Sequence, residues 1–246
     1  MDKVDELLPP KPLVVSCMPV GMMSFFSFSY SGKDGQKKYF AGMEGNYGGD
    51  PEEYDGPAFI VFQVFPVETF TDSRDGEKYN TIKIGKQIWM AKNLNYDASG
   101  SKCYDNKPSN CDKYGRLYDW GTAKVACPSG WHLPSDADWG DLMQFVNPSC
   151  PLTGDCANAG AKLKAASGWN GNGNGTDNYG FAALPGGVGL SGSKFRDVGN
   201  GGLWWSSTDD AKKASRLSID INGPDVHRSS SDKNLLFSVR CIADAK

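Results

Sequence analysis

Cys127-Pro-Ser-Gly-Trp-His-Leu-Pro-Ser-Asp-Ala-Asp-Trp-Gly-Asp-Leu-Met-Gln-Phe-Val146 is the stretch on which the fold turns. Ser135 has Asp138 three residues on, the spacing of a capping box, so a helix is expected to start there. Trp139, Leu142, Met143 and Val146 then recur at helical spacing and give that helix one apolar stripe to bury. Cys127, which opens the stretch, is one of seven cysteines, the others being Cys17, Cys103, Cys111, Cys150, Cys156 and Cys241. None forms a C-x-x-C pair, and with only His132 and His227 as imidazoles the chain lacks the closely spaced ligands of a zinc site. The spacing suits disulfides: Cys103 with Cys111 across a polar turn, Cys150 with Cys156 across another, and Cys127 with Cys241 closing a very long loop. This is one of several connectivities that six cysteines allow. Cys17 is the odd one out, a buried free thiol or an intermolecular link. Three disulfides imply an oxidising compartment.

Working outward, a second helix is expected over Ala157 to Ala166, ending near Gly168. The glycine- and asparagine-rich run 168–180 follows and reads as an exposed loop. The carboxyl end returns to strands: Leu217, Ile219 and Ile221 share one face, and Phe237, Val239 and Cys241 share another. Towards the amino end, Ile82 and Ile84 alternate with Lys83, Gly85-Lys86 turns the chain, and Ile88 and Met90 return it as a hairpin. Asp72 to Gly76 reads as a linker-like turn.

Residues 1–69 have a different character, with no tryptophan and strong β patterning. Phe26, Phe28 and Tyr30 alternate with serines, Gly32 to Gly35 signals a turn, and Lys37 to Phe40 is the returning strand. Gly45 to Pro51 reads as loop, and Ala58 to Phe65 as a further strand. The organisation is therefore a small β-rich module at 1–69, followed at 70–246 by an α+β domain with two helices, short antiparallel strands and long loops.

The 246 residues carry 26 Lys and Arg against 29 Asp and Glu, a net charge of -3, which gives no electrostatic reason to hold nucleic acid. Aromatic residues at 12% exclude wholesale disorder. The apolar run 13–30 is interrupted by Pro19, Gly21 and serines and makes no membrane span. Met1 to Glu6 is acidic and lacks the basic start of a secretory signal, so the chain reads as a mature or excised form.

Several strings in the second region resemble the Fibrobacter succinogenes major paralogous domain family. They are Asp72-Ser-Arg-Asp-Gly76 with Thr81-Ile-Lys-Ile-Gly85, Gln87-Ile-Trp-Met-Ala-Lys-Asn-Leu-Asn-Tyr96, Tyr114-Gly-Arg-Leu-Tyr-Asp-Trp120, Cys127 to Pro134, Gly180-Phe-Ala-Ala-Leu-Pro-Gly-Gly187, Leu203-Trp-Trp-Ser-Ser207 and Ser238-Val-Arg-Cys-Ile242. The resemblance covers about 70–244. It implies kinship with the formylglycine-generating sulfatase-modifying enzymes and, through them, a C-type lectin-like fold whose ends are tied by a disulfide. Trp131 to Trp139 is similar to a motif of those enzymes, with His132 where an arginine is usual.

Formylglycine generation uses a reactive cysteine pair that holds copper, and here Trp204, Trp205, Ser206 and Ser207 stand in the loops without one. His132, His227, Ser206 and Ser207 have no partner in sequence that makes a base or nucleophile of them. The expected role is non-catalytic: binding or adhesion through the loop face at about 168–230, with a glycan or surface protein as partner, outside the cell or on the bacterial surface. A divergent enzyme and a structural subunit, oligomeric through 1–69, are the alternatives. The residues expected to bind are Trp169, Tyr179, Trp204, Trp205, Asp209, Asn222, His227 and Arg228, with Trp169 exposed at the head of its loop and one of Trp204 and Trp205 exposed. No cofactor is required. Calcium is the one ion the loops suggest, with Asp177, Asp209 and Asp210 as candidate ligands helped by Asn178 and Asn222.

Overall fold

Alternating aromatic and serine residues mark the first strand, and largely apolar runs the next two. In the computed structural model, which describes residues 23–31, 37–45, 58–64, 68–190 and 194–245, β1 (Met23–Ser31), β2 (Lys37–Gly45) and β3 (Ala58–Val64) form an antiparallel sheet in that order. Phe28 stands opposite Phe40, and Tyr39 opposite Val64. β2 runs five residues past Phe40, where the expected strand stopped. The turn at 32–35, most of the loop at 45–51 and Cys17 lie outside the described residues. The chain divides into two compact units, Met1–Pro66 and Val67–Lys246.

In chain order the second unit holds β4 (Glu68–Thr71), β5 (Lys78–Ile84) and β6 (Gln87–Met90), then helix α1 (Pro108–Tyr114), β7 (Leu117–Tyr118) and α2 (Trp120–Ala126). β8 (Trp131–His132), α3 (Asp136–Val146) and α4 (Ala159–Leu163) follow. The remainder is β9 (Gly186–Leu190), β10 (Lys194–Val198), β11 (Gly201–Asp209), β12 (Lys213–Asp220), β13 (His227–Asp232), β14 (Phe237–Ser238) and β15 (Ile242–Ala243). One sheet has the order β4-β5-β6-β15-β8; the other runs β10-β9-β11-β12-β13, with β14 on β11 and β7 on β14. The architecture is α+β, mostly strand with few and short helices. No helix among the described residues is long and apolar enough to cross a membrane.

The helix α3 begins as its sequence dictates. Ser135 Oγ accepts from Asp138 N at 3.2 Å, and Asp138 Oδ2 accepts from Ser135 N at 2.8 Å. Trp139, Leu142, Met143 and Val146 are its buried stripe. Two further helices were not expected. α1 starts within the Cys103–Cys111 loop at Pro108, where a missing N–H leaves no partner unmet, and runs through Cys111 to Tyr114. α2 starts after Asp119, whose carboxylate accepts from Thr122 N at 2.9 Å. α4 is shorter than the expected 157–166. Asn158 at φ +58 delays its start, and Lys164 leaves it to bridge Ala183 in a parallel pairing.

The hairpin β5–β6 is as read, with Ile84 opposite Gln87 and Gly85 at φ +61, the first turn position that demands a positive φ. Asp72 to Gly76 is no linker but the turn of a second hairpin, β4–β5. Asp72 is fully buried and accepts from Arg74 Nε at 2.9 Å, Arg74 Nη2 at 2.6 Å and Arg74 N at 3.0 Å. The Arg74 guanidinium also lies 3.7 Å above the Tyr96 ring. Chiefly through the Arg74 side chain, the Asp72 carboxyl is held below the usual carboxylate range. A lowered folded pKa means that the unfolded chain binds this proton first, so the stabilisation is present above about pH 4 and lost as pH falls through the folded value. Denaturant unfolding at pH 6 and pH 3 checks this: Asp72→Asn is expected to be less stable by about 1–3 kcal/mol at pH 6, with the gap to wild type narrowing at pH 3.

Successive residues of β11 point to opposite faces, and both faces are covered. Trp204 packs with Trp89, Trp139, Leu142, Phe181, Leu217 and Ile219. Trp205 packs with Tyr118, Trp120, Val239 and Cys241, and its ring is 4.3 Å from that of Phe237. Both are buried, which corrects the expectation that one is exposed. Each indole N–H is satisfied, Trp204 by Asn93 Oδ1 at 2.8 Å and Trp205 by Tyr118 O at 2.8 Å. Asn93 Oδ1 also accepts from Arg240 Nε at 3.1 Å and Nη2 at 2.8 Å, while Asn93 Nδ2 donates to Tyr114 O at 2.8 Å. Arg240 is fully buried, donates as well to Met90 O and Phe181 O, and stacks 4.4 Å from the Phe181 ring.

Three disulfides close the unit. Cys103–Cys111 and Cys150–Cys156 span 8 and 6 residues, and Cys127–Cys241 spans 114 with its Cα atoms 5.9 Å apart. The last joins the end of α2 to the residue before β15, which itself lies between β6 and β8.

Candidate functional site

The loop expected to carry Trp169 outward is folded against α4 instead. Backbone N–H groups of Gly175, Thr176, Asp177 and Asn178 donate to the carbonyls of Ala165, Ala161, Lys164 and Lys162. They satisfy acceptors that the helix end leaves unpaired. A Cβ at Gly175 would stand 2.4 Å from Lys164 Cβ and 2.5 Å from Ala161 O, so this glycine serves close approach rather than freedom. Trp169 is consequently buried, its indole donating to Ala183 O at 2.9 Å and Lys164 Nζ lying 4.8 Å from its ring. Tyr179 is half-buried and meets Phe145 edge-on at 5.8 Å. None of the four aromatic residues expected at the binding face is freely exposed.

The calcium candidates are not brought together. Asp177 Oδ1 accepts from Ala182 N at 2.8 Å, and burial pushes the Asp177 carboxyl up. Asp209 pairs with Lys233. Asp210 Oδ1 accepts from the Lys212 and Lys213 amides, at 2.8 and 2.6 Å. Asn178 and Asn222 are exposed, Asn222 N donating to Asp220 Oδ1. No group of three or more His, Cys, Asp or Glu among the described residues is arranged to hold a metal ion. Ser206 is fully buried and its Oγ accepts from Thr208 N at 3.2 Å. His132 lies between Asp244, 2.7 Å from Nδ1, and Asp138, 3.6 Å from Nε2.

His227 and Arg228 open β13 and diverge. Arg228 stands opposite Leu217, and its Nη1 donates to Leu152 O, so its guanidinium serves the Cys150–Cys156 loop. His227 stands opposite Ser218, with Nδ1 2.9 Å from Asp155 Oδ2 and Nε2 3.8 Å from Asp220 Oδ2. His227 and the Arg228 amide together hold the Asp155 carboxyl below its usual range.

A groove of about 340 Å³ crosses this sheet, and its lining includes Arg196, Asn200, Leu203, Arg216, Asp220 and Asn222. Residues directly opposite in an antiparallel pair share a face. Gly201, Leu203 and Trp205 of β11 therefore share theirs with Asp220, Ser218 and Arg216 of β12, and these with His227 and Ser229 of β13. Trp205 and Ala214 fill one end of that face with core. At the other end small and polar side chains leave the groove. Of the expected residues the groove collects Asn222, with His227 beside it. It adds Arg196, Asn200, Leu203, Arg216, Ser218 and Asp220, whose signal was already in the alternation of β12: if Leu217 and Ile219 face inward, Arg216, Ser218 and Asp220 face the other way.

Arg216 is the chemically unusual member. Its Nε donates to Ser231 Oγ at 2.9 Å and its guanidinium lies 5.9 Å from the Phe237 ring, but Nη1 is buried with no partner among the described residues. Burial alone lowers its pKa, with no carboxylate offsetting it. Of the other charged groups in the lining, Arg196 Nε pairs with Asp197 Oδ2 at 3.4 Å, and Asp220 Oδ2 lies 3.8 Å from His227 Nε2.

The family model of the Fibrobacter succinogenes major domain matches residues 82–243, about two thirds of the chain. The chain belongs to that family. Comparisons with curated proteins and with solved structures return no match. The matched span of the Fibrobacter succinogenes major domain begins inside β5 and contains all three disulfides, the Asn93–Arg240 network and the whole groove. The Asp72–Arg74 turn precedes it.

Proposed function

We propose that this chain is a non-catalytic binding module with a C-type lectin-like domain, working outside the cell or on the bacterial surface, and that it holds a glycan in the groove across β10–β12. The observation that carries this reading is the groove itself. Its volume of about 340 Å³ falls in the roughly 300–1,000 Å³ span of small-molecule sites rather than suiting a flat protein interface. Its wall combines amide, hydroxyl and charged groups with the apolar Leu203, the mixture that a sugar with one apolar face and a rim of hydroxyls requires. Three disulfides support the oxidising address. The likeness to a C-type lectin-like fold rests on the two-sheet α+β arrangement with a long disulfide, Cys127–Cys241, linking the end of α2 to the carboxyl-terminal strands.

The test is a glycan array probed with the whole chain, wild type against Ser218→Tyr, which fills the groove, and Val125→Ser, a change at an exposed site on α2. Wild type and Val125→Ser are expected to give the same positive spots, and Ser218→Tyr to reduce them at least tenfold with an unchanged melting temperature. Equal signals from all three proteins would remove the groove as the binding site.

A further inference from the structure

Among the described residues, the groove has one charge left without a counter-charge. Arg196 pairs with Asp197, His227 stands between Asp155 and Asp220, and Asp220 also accepts the Asn222 amide. Among the described residues Arg216 has a single hydrogen bond, to a neutral hydroxyl, and its buried Nη1 meets no acceptor. A guanidinium so placed keeps its charge at neutral pH but loses hydration without gaining an anion. The natural complement is a planar carboxylate, which accepts two parallel N–H bonds from a guanidinium. Elsewhere in the lining Leu203 and Ile221 offer apolar surface to a ring, and Asn200, Ser218 and Asn222 offer donors and acceptors to hydroxyls.

We infer that the ligand of this groove is an acidic sugar, a hexuronate unit within a glycan, whose carboxylate is taken by Arg216. This rests on the groove being the binding site and adds the class of sugar. A bound carboxylate supplies the counter-charge that the fold omits, so discrimination between acid and neutral sugar comes from a group left unpaired whenever the neutral one binds.

The experiment is calorimetric titration of the whole chain with an oligogalacturonate and with its methyl ester, the same backbone without the charge. The acid is expected to bind at least tenfold more tightly than the ester, to weaken with added salt, and to fall to the ester's affinity in Arg216→Gln. Arg216→Lys, which keeps the charge but not the planar fork, is expected between the two. Melting curves of both variants establish that they are folded, and the acid-against-ester comparison on wild type needs no variant. Equal affinity of acid and ester, no binding of either, or undiminished binding of the acid by a folded Arg216→Gln would overturn the inference. If acid and ester bind equally and Ser218→Tyr abolishes both, the groove stands as a glycan site and only its acidic selectivity is lost.

Discussion

Replacing Cys127 and Cys241 together by alanine is expected to cost about 5 kcal/mol of stability, the largest loss from any pair in this chain. A cross-link stabilises mainly by removing closure entropy from the unfolded chain, and that entropy grows with the logarithm of the loop it closes. The loop here is 114 residues, for which the chain-entropy argument gives about 5 kcal/mol. The Cys150–Cys156 loop is only 6 residues, and the same argument gives roughly 2 kcal/mol for Cys150→Ala with Cys156→Ala. Denaturant unfolding of the two double variants checks both values. Equal losses would mean that the long bridge acts through local contacts instead. Cys241 is fully buried beside Val239 and Phe237, so some packing is lost with it. Alanine at that position makes the measured difference an upper value for the entropic part.

Arg240→Ala is expected to destabilise the protein by about 3–5 kcal/mol, through a cavity and orphaned acceptors together. Burial pushes this guanidinium down to about 9, so it is still charged at neutral pH. It is held by Asn93 Oδ1 and by the carbonyls of Met90 and Phe181, so it ties the end of β6 and the segment after it to the stretch before β9. Removing it leaves these carbonyls unmatched inside the core. Arg240→Lys retains charge and some volume, yet a single ammonium cannot reach acceptors spread around a planar fork, so it too is expected to lose about 2 kcal/mol or more. Guanidinium chloride unfolding with unchanged m-values gives the numbers. A loss below 1 kcal/mol for the alanine variant would show that the network is dispensable to the fold.

The parts of the fold legible in sequence are those governed by local rules. The Ser135 capping box, the stripe Trp139 to Val146 and the Gly85-Lys86 turn are each decided within a few residues, and each stands in the structure. The cysteine pairing was legible because two short loops left one long one. One failure comes from assuming that what does not face one core faces water: both faces of β11 are covered, so Trp204 and Trp205 are both buried, on opposite sides of it. Trp169 failed through its neighbours: a glycine needed for close approach to a helix looks the same in sequence as one needed for freedom, and the 168–180 run is of the first kind at Gly175.

The groove was half legible. Asn222 and His227 were singled out from local polarity, whereas Arg216 and Ser218 were hidden by reading only the apolar half of β12. Cross-strand register assembles the face, and that register depends on pairing between strands that sequence separates. The aromatic residues that drew attention to the loops form the support for this surface, and polar side chains on the strands form the surface itself.

The most direct measurement is a non-reducing peptide map of the whole chain, alkylated before digestion and read by mass spectrometry. The account predicts a cross-linked species joining the peptides of Cys127 and Cys241, converted to two separate peptides by reductant. Recovery of both cysteines alkylated from protein purified under oxidising conditions would contradict the tied scaffold and the extracellular address with it.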